Sequence, residues 1–249
     1  MNSYRPGGFS ILPLVVKNLL IINGLFFLAT VAFDNAFDIN LYRILGLHMP
    51  FSEHFRPYQL VTYMFMHGNL SHLFFNMFAL WMFGNTLENV WGPKKFLTFY
   101  FLTAFGAALL HMGVNYLEMM NLKGELLKAG YSLSELEEIV RSGSYRVIPG
   151  VREKTLYAFY MHHITPTVGA SGAVFGILLA FGMMFPNTII YVFFAIPLKA
   201  KYFVMIYGAL ELYFGFTSNG NIAHFAHIGG MLFGLLVLLY WKKRNGSYF

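Results

Sequence analysis

Six stretches of this sequence are apolar over lengths close to the thickness of a lipid bilayer, and this limits the fold more than any other feature. A hydrocarbon core of about 30 Å requires roughly 20 apolar residues in a helix. Charged residues make up only 11% of the chain and hydrophobic residues 57%, whereas a soluble domain carries about 25% charged residues. The chain is therefore predicted to be an all-α membrane protein.

The predicted architecture is a six-transmembrane-helix bundle that occupies residues 1–249 as a single membrane domain. Its spans cover approximately 12–33, 72–91, 96–117, 171–185, 199–217 and 223–241. An apolar outer loop of about forty residues joins the first two spans, and it is too hydrophobic for a solvated linker.

A polar outer insertion at 118–168 separates the third span from the fourth. Within it, "SLSELEEIV" places Ser132 three residues before Glu135, which is the pattern of a capping box at a helix start. Leu136, Ile139 and Val140 then fall on one face, which predicts a short amphipathic helix.

The distribution of basic residues predicts the orientation of the bundle. If both termini and the 2–3 and 4–5 connections are cytoplasmic, that side holds nine basic residues against Glu88 alone. The other side holds eight basic and nine acidic residues. Basic residues in short loops near span ends favour the cytoplasm, so the net charge of +6 reflects topology and no nucleic-acid partner is expected. The N-terminus lacks a cleavage pattern, and the first span is expected to be retained.

The fourth span is shorter than a bilayer requires. From Ser171 to Phe185 it has 15 residues, or about 22 Å of helix. The preceding "TPTVGA" must dip into the protein to meet it, and such backbone is tolerated only when it is buried or lines a wet cavity. Ser171 is therefore expected below the outer surface, in a pocket that water reaches from outside.

Polar side chains cluster on the outward half of the predicted bundle, where ionisable groups indicate function by default. The candidates are His67, His72, Asn76, Ser171, His224 and His227. Each has a structural alternative: a serine in "GASGAVFG" suits close helix packing, and the histidine or asparagine could bond neighbouring helices. Together, a serine and a histidine at matching depth form a nucleophile–base pair.

The glycines around these two residues support that pairing. Gly172 with Gly176 in span four, and Gly230 with Gly234 in span six, allow the two helices to approach closely. For the developing oxyanion, His72, Asn76 and the Ser171 backbone N–H at a helix N-terminus would supply donors.

Other chemistries fit the sequence less well. There is no cysteine, which excludes thiolate chemistry, and no H-E-x-x-H zinc motif is present. His162, His163, His224 and His227 could meet a metal only in principle, so neither a metal nor a cofactor is expected. Because Glu211 is placed mid-span and no acid is near the histidines in sequence, a Ser–His dyad without a carboxylate is expected.

Three motifs in order give the chain its resemblance to a known family. From about residue 55 onward, "FMHGNLSHLFFNM", "GASGAVFG" and "AHIGGMLFG" fall on spans two, four and six. The chain resembles the rhomboid family of intramembrane serine proteases. One departure is in the first outer loop, where Tyr58 and Gln59 stand in place of the Trp-Arg pair that the family often carries.

The resemblance implies roles for individual residues. Ser171 would attack the scissile carbonyl, and His227 would act first as general base and then as general acid. His72 and Asn76 would line the oxyanion hole with the Ser171 backbone, and Phe175 would stack on the histidine. Supporting positions in the same motifs are Gly169, Gly172 and Gly230.

The resemblance also implies a function and a setting. The expected activity is cleavage of single-span transmembrane proteins near the extracytoplasmic end of their helix, in a bacterial inner membrane. The first outer loop would lie partly in the outer leaflet, and span five with "TSNGNIAHF" would form a gate and cap. The alternatives are a pseudoprotease that binds membrane helices without cutting, and a transporter or channel, although no internal repeat supports the latter. The sequence predicts no oligomeric state.

Overall fold

The computed structural model describes residues 9–192, 195–217 and 223–246. The predicted cap segment falls mainly on residues 218–222, which lie outside the described residues, as do residues 1–8. The helices are α1 (Leu14–Phe37), α2 (Leu41–Leu45), α3 (Gln59–Thr62), α4 (Leu70–Ala79), α5 (Asn85–Trp91), α6 (Pro93–Lys128), α7 (Leu133–Ser142), α8 (Glu153–Ile164), α9 (Ser171–Met184), α10 (Ala200–Thr217) and α11 (His224–Asn245). The strands are β1 (Ile189–Val192) and β2 (Ile196–Lys199).

A helix lies at each of the six predicted spans. The second is continuous over residues 70–91, because a π-helical stretch joins α4 to α5. Three helices in the described ranges are long and apolar enough to cross a membrane, namely Leu14–Phe37, Pro93–Lys128 and His224–Arg244. The prediction of a mostly helical membrane protein is therefore confirmed.

Glycines bring α11 against its neighbours α6 and α9. A Cβ placed at Gly230 would lie 1.8 Å from the carbonyl oxygen of Gly172 on α9. One at Gly229 would lie 2.9 Å from the Cα of Ala107 on α6. Small residues permit this backbone approach between membrane helices, and it sets the spacing between the starts of α9 and α11.

The N-terminus of α1 is held by a buried carboxylate. Glu88 on α5 is 3% exposed, and its two oxygens accept hydrogen bonds from the backbone N–H groups of Val15 and Val16, each at 2.8 Å. The first N–H groups of a helix have no intrahelical acceptor and carry the positive end of the helix dipole. Glu88 thus caps α1 and ties it to α5.

The loop between α1 and α4 is anchored by Gln59, one of the two residues at which the sequence departs from the pattern that it resembles. Its buried Oε1 accepts hydrogen bonds from the backbone N–H groups of His48 and Arg56. Its Nε2 donates to the carbonyl oxygens of Ile44 and His54, at 3.1 and 2.9 Å. A single side chain therefore hydrogen-bonds to the backbone of the loop at four residues.

The polar insertion starts later than predicted and has its own core. The helix of the third predicted span, α6, continues to Lys128. The first eleven residues of the predicted 118–168 insertion therefore belong to this helix. The predicted capping box is confirmed at the start of α7, where Ser132 and Glu135 bond reciprocally. A separate apolar cluster joins α6, α7 and α8, and it consists of Met119, Leu126, Tyr131, Leu136, Ile139, Leu156 and Phe159.

The connection between α9 and α10 contains strands that an all-α prediction missed. β1 and β2 pair antiparallel, with Ile189 opposite Lys199 and Val192 opposite Ile196. The β-branched residues that follow Pro186 favour extended backbone. They form too short a run to be recognised as strands beside the longer apolar spans. The backbone N–H of Ala200 donates to Thr188 O at 2.8 Å, which fixes the start of α10 beside the end of α9.

Candidate active site

Ser171 is the first residue of α9, at the end of an extended segment that the first outer loop holds. Leu47 and Thr167 exchange two backbone hydrogen bonds, and the N–H of Gly169 donates to Tyr63 O at 2.9 Å. Gly169 has φ +129°, a conformation that residues with a Cβ rarely adopt. A Cβ there would also lie 2.9 Å from the imidazole of His72. Glycine is therefore required two residues before the serine.

The structure brings Ser171 and His227 into direct contact. The Ser171 Oγ lies 2.8 Å from Nε2 of His227, which is the fourth residue of α11. The ring of Phe175, one turn along α9, lies parallel to the imidazole with centroids 4.1 Å apart and planes 7° apart. His227 is buried. The imidazole is thus fixed in position by a hydrogen bond on its edge and a ring on its face.

A carboxylate also contacts His227, so the expectation that no acid lies near this histidine is wrong. The Oε2 atom of Glu211 on α10 lies 2.8 Å from Nδ1 of His227 and 2.7 Å from Nδ1 of His224. Glu211 is six residues before the end of α10, about 9 Å below it. His227 is about 4.5 Å into the antiparallel α11 by the same measure. The depth difference is within the reach of a glutamate side chain.

A signal for this contact was present in the sequence. An ionisable residue inside a membrane span is expensive and nearly always has a partner, so Glu211 required one. His224 and His227 are three residues apart and share one face of the next helix. Hydropathy alone gives no rotational setting for α10, which is why the pairing was missed.

With Glu211 ionised, the contacts favour one tautomer of His227. An ionised carboxylate only accepts hydrogen bonds, so Nδ1–H donates to Glu211, and Nε2 presents its lone pair to the hydroxyl of Ser171. A neutral imidazole with a free Nε2 is the form that can take a proton from a nucleophile. The arrangement is therefore chemically competent for nucleophilic attack by the serine.

His72 and Asn76 lie one turn apart on α4. The side chain of Asn69 caps α4 by accepting from His72 N at 2.8 Å. The imidazole of His72 lies against Gly169, as described above, and Asn76 Nδ2 donates one hydrogen to His72 O at 3.0 Å. The second amide hydrogen of Asn76 is not used in that bond. His72 therefore flanks the segment that leads into Ser171.

His67 lies behind His72 and outside the reactive contacts. Its ring is fully buried and packs edge-on to that of His72, with centroids 5.1 Å apart. Burial lowers the pKa of His67 to about 4, with a smaller contribution from the neighbouring His72. His67 is therefore neutral at physiological pH and serves as packing for the His72 ring.

One group of side chains in the described ranges could hold a metal ion, and it is Glu211, His224 and His227, whose ligand atoms lie within 4.8 Å of one another. Zinc bonds of about 2.0–2.1 Å in a tetrahedron would hold two ligands roughly 3.3 Å apart. The oxygen–nitrogen distances of 2.7 and 2.8 Å are hydrogen-bond lengths instead.

The other two histidines considered for a metal are not part of this group. His162 lies 3.7 Å from Glu118, and Nδ1 of His163 bonds to Phe159 O, both on the α6–α8 side of the molecule.

Comparison with known sequences agrees with this geometry. A sequence model of the Rhomboid domain matches residues 54–244, which is well over half of the chain. The chain belongs to the rhomboid family. This rhomboid is 26% identical to RHOMBOID-like protein 12, mitochondrial, of Arabidopsis thaliana, over 94% of its own length and 60% of the relative's. It is 29% identical to rhomboid protease AarA of Providencia stuartii, over 70% of its own length and 52% of the relative's.

A third relative is also mitochondrial by name. An uncharacterized mitochondrial rhomboid protein, P4H10.10, of Schizosaccharomyces pombe is 26% identical over 76% of this rhomboid and 53% of the relative. The chain thus spans about half to three-fifths of the length of these relatives. Two of the three are named as mitochondrial, which does not fit the expected bacterial inner membrane. This rhomboid is a membrane protein with apolar helices.

Proposed function

We propose that this rhomboid is an intramembrane serine endopeptidase that cleaves single-span membrane proteins near the extracytoplasmic end of their helix. The observation that carries the proposal is the 2.8 Å contact between Ser171 Oγ and His227 Nε2. The imidazole in that contact is oriented by the stacked ring of Phe175. The family match and the relative named as a protease support the same activity.

The reaction follows from the two side chains. Ser171 Oγ attacks the carbonyl carbon of the scissile peptide as His227 Nε2 takes the hydroxyl proton. The imidazolium then gives that proton to the leaving amine, and the C–N bond breaks to leave an ester on Ser171. Water, deprotonated by the same Nε2, attacks the ester, and the proton returns to Ser171 as the acid product leaves.

The oxyanion that forms in the first step needs donors. Ser171 opens α9, and the first N–H groups of a helix have no intrahelical acceptor. Its own N–H therefore serves, together with the second amide hydrogen of Asn76 and the imidazole of His72. The positive end of the α9 dipole adds to the same effect.

We place the reaction centre on the outer side of a six-span bundle. The basic residues Lys94 and Lys95 begin α6, and Lys242 to Arg244 end α11, so they mark the end of the bundle opposite Ser171. α9 has only 14 residues, about 21 Å, and it cannot reach both surfaces of a bilayer of about 30 Å. The serine then lies below the outer surface, where water enters and a substrate helix must unwind locally.

Active-site titration tests the proposed function. The purified protein is treated with a fluorophosphonate, the modified residue is located by mass spectrometry, and cleavage of a single-span substrate is followed with its product ends. We expect modification at Ser171 and residual activity that falls in proportion to the labelled fraction. Exposed Ser144 serves as the internal control and should stay unlabelled. A folded protein that neither labels nor cuts across several substrates would favour helix binding without cleavage.

Replacement of Asn76 by alanine tests the oxyanion donors. Loss of one such donor typically lowers kcat by about 10²–10³, and we expect a decrease of that size with KM little changed, because the amide acts mainly on the transition state. Steady-state cleavage kinetics measure it, and His72→Ala should behave similarly. A variant with unchanged kcat would remove Asn76 from the oxyanion hole.

A further inference from the structure

We propose that Glu211 is a positioning residue for His227, so that the site is a Ser171–His227–Glu211 triad assembled from three different helices. The inference rests on the proposed function and extends it by a residue that acts through the histidine. It is carried by the contact of 2.8 Å between Glu211 Oε2 and His227 Nδ1.

The environment of Glu211 favours a fixed carboxylate. Its side chain is 12% exposed, and a charged group in such surroundings is strongly destabilised unless it is hydrogen-bonded. Two imidazole N–H groups, from His224 and His227, reach the same oxygen. His224 therefore holds Oε2 in place while that oxygen accepts from His227.

The chemical role follows from the direction of these bonds. With Nδ1–H bound to Glu211, neutral His227 holds its proton on Nδ1, and Nε2 is the nitrogen that can accept from Ser171. When Nε2 takes the hydroxyl proton, the negative charge of Glu211 stabilises the imidazolium that forms. Both effects are those of the acid in serine–histidine–acid triads on unrelated folds.

The triad depends on how α10 sits against the rest of the bundle. Besides Glu211, α10 contributes Phe203 and Tyr207 to a column of stacked rings, with centroids 5.5 Å apart, and Tyr207 lies 5.3 Å from Phe175. Phe175 in turn stacks on His227. Displacement of α10 would remove both the carboxylate and part of the ring column, so the reactive arrangement is complete only when α10 is packed in place.

The test compares Glu211→Gln and Glu211→Asp with a matched control, Glu118→Gln, which removes the carboxylate of the separate Glu118–His162 contact. We expect Glu211→Gln to lower kcat by about 10²–10⁴ with KM within threefold, since an amide can donate to Nδ1 and favour the wrong tautomer. Glu211→Asp should recover part of the loss, and Glu118→Gln should match the wild type. A Glu211→Gln variant with kcat within threefold of the wild type overturns the proposal.

A spectroscopic measurement separates this proposal from the proposed function. In protein with ¹⁵N-labelled histidine, a downfield Nδ1–H resonance is expected in the wild type and in Ser171→Ala, and it should be absent in Glu211→Gln. Its presence in the inactive serine variant would support the contact even if no substrate is cut. Its absence from folded wild type, or one equivalent of zinc bound to purified wild type and lost in Glu211→Gln, would overturn the triad.

Discussion

Replacement of Ser171 by alanine is expected to lower the rate of substrate cleavage by a factor of about 10⁵ or more, because no other group can form the ester intermediate. Loss of the nucleophile in a serine protease costs on the order of 10⁶ in kcat. Ser171 Oγ is the atom that His227 contacts at 2.8 Å, and cysteine is absent from the sequence. The measurement is initial cleavage rate in liposomes at matched protein amounts.

The fold should survive this substitution. Alanine is well tolerated in a helix, and the lost hydroxyl makes one described side-chain contact, to His227. We therefore expect an unfolding midpoint close to that of the wild type. Ser144→Ala, at an exposed position of the insertion, is the matched control and should keep full activity. Cleavage by Ser171→Ala at more than a few per cent of the wild-type rate would exclude the serine as nucleophile.

Replacement of Gly230 by alanine should separate α9 from α11 and abolish both labelling and cleavage. The new Cβ would lie 1.8 Å from Gly172 O and 2.7 Å from its carbonyl carbon. These are backbone atoms, so the clash is relieved only if a whole helix moves. Overpacking of a tight interface costs about 1–3 kcal/mol and sometimes more, and we expect at least the upper end of this range, read from the unfolding midpoint in detergent.

Gly113→Ala is the control for the Gly230 variant. Gly113 also lies in a long helix, α6, but a Cβ there meets nothing within 4 Å. Alanine is favoured over glycine inside a helix by up to about 1 kcal/mol, so this variant should be as stable as the wild type or slightly more stable. Equal behaviour of the two variants would show that the α9–α11 approach does not position the site.

Features of the fold that depend on local pattern could be predicted from the sequence. Long apolar stretches predicted a helix at each of the six proposed positions, and the spacing of Ser132 and Glu135 predicted the start of α7. The polar residue at the head of a short, glycine-flanked helix directed attention to Ser171. The three ordered motifs then related it to His227, which is the pair that the structure brings into contact.

Features that depend on how helices are rotated against each other could not be predicted. Glu211 has no sequence neighbour that reveals its partners, and its approach to His227 depends on the setting of α10 beside α11. The same limit applies to Gln59, whose four backbone contacts come from a loop conformation. The β1–β2 pairing was not predicted because each strand has only four residues. A segment that short has too little periodicity to be told apart from an irregular loop.

The carboxylate on α10 has a consequence for the insertion of the chain into the membrane. α10 precedes α11 in the chain, so Glu211 is synthesised before His224 and His227. A lone ionisable group near the centre of a spanning helix raises its insertion free energy on the order of 3 kcal/mol. The two imidazoles that offset this cost arrive with α11. We therefore expect α10 and α11 to enter the lipid together, as a hydrogen-bonded pair.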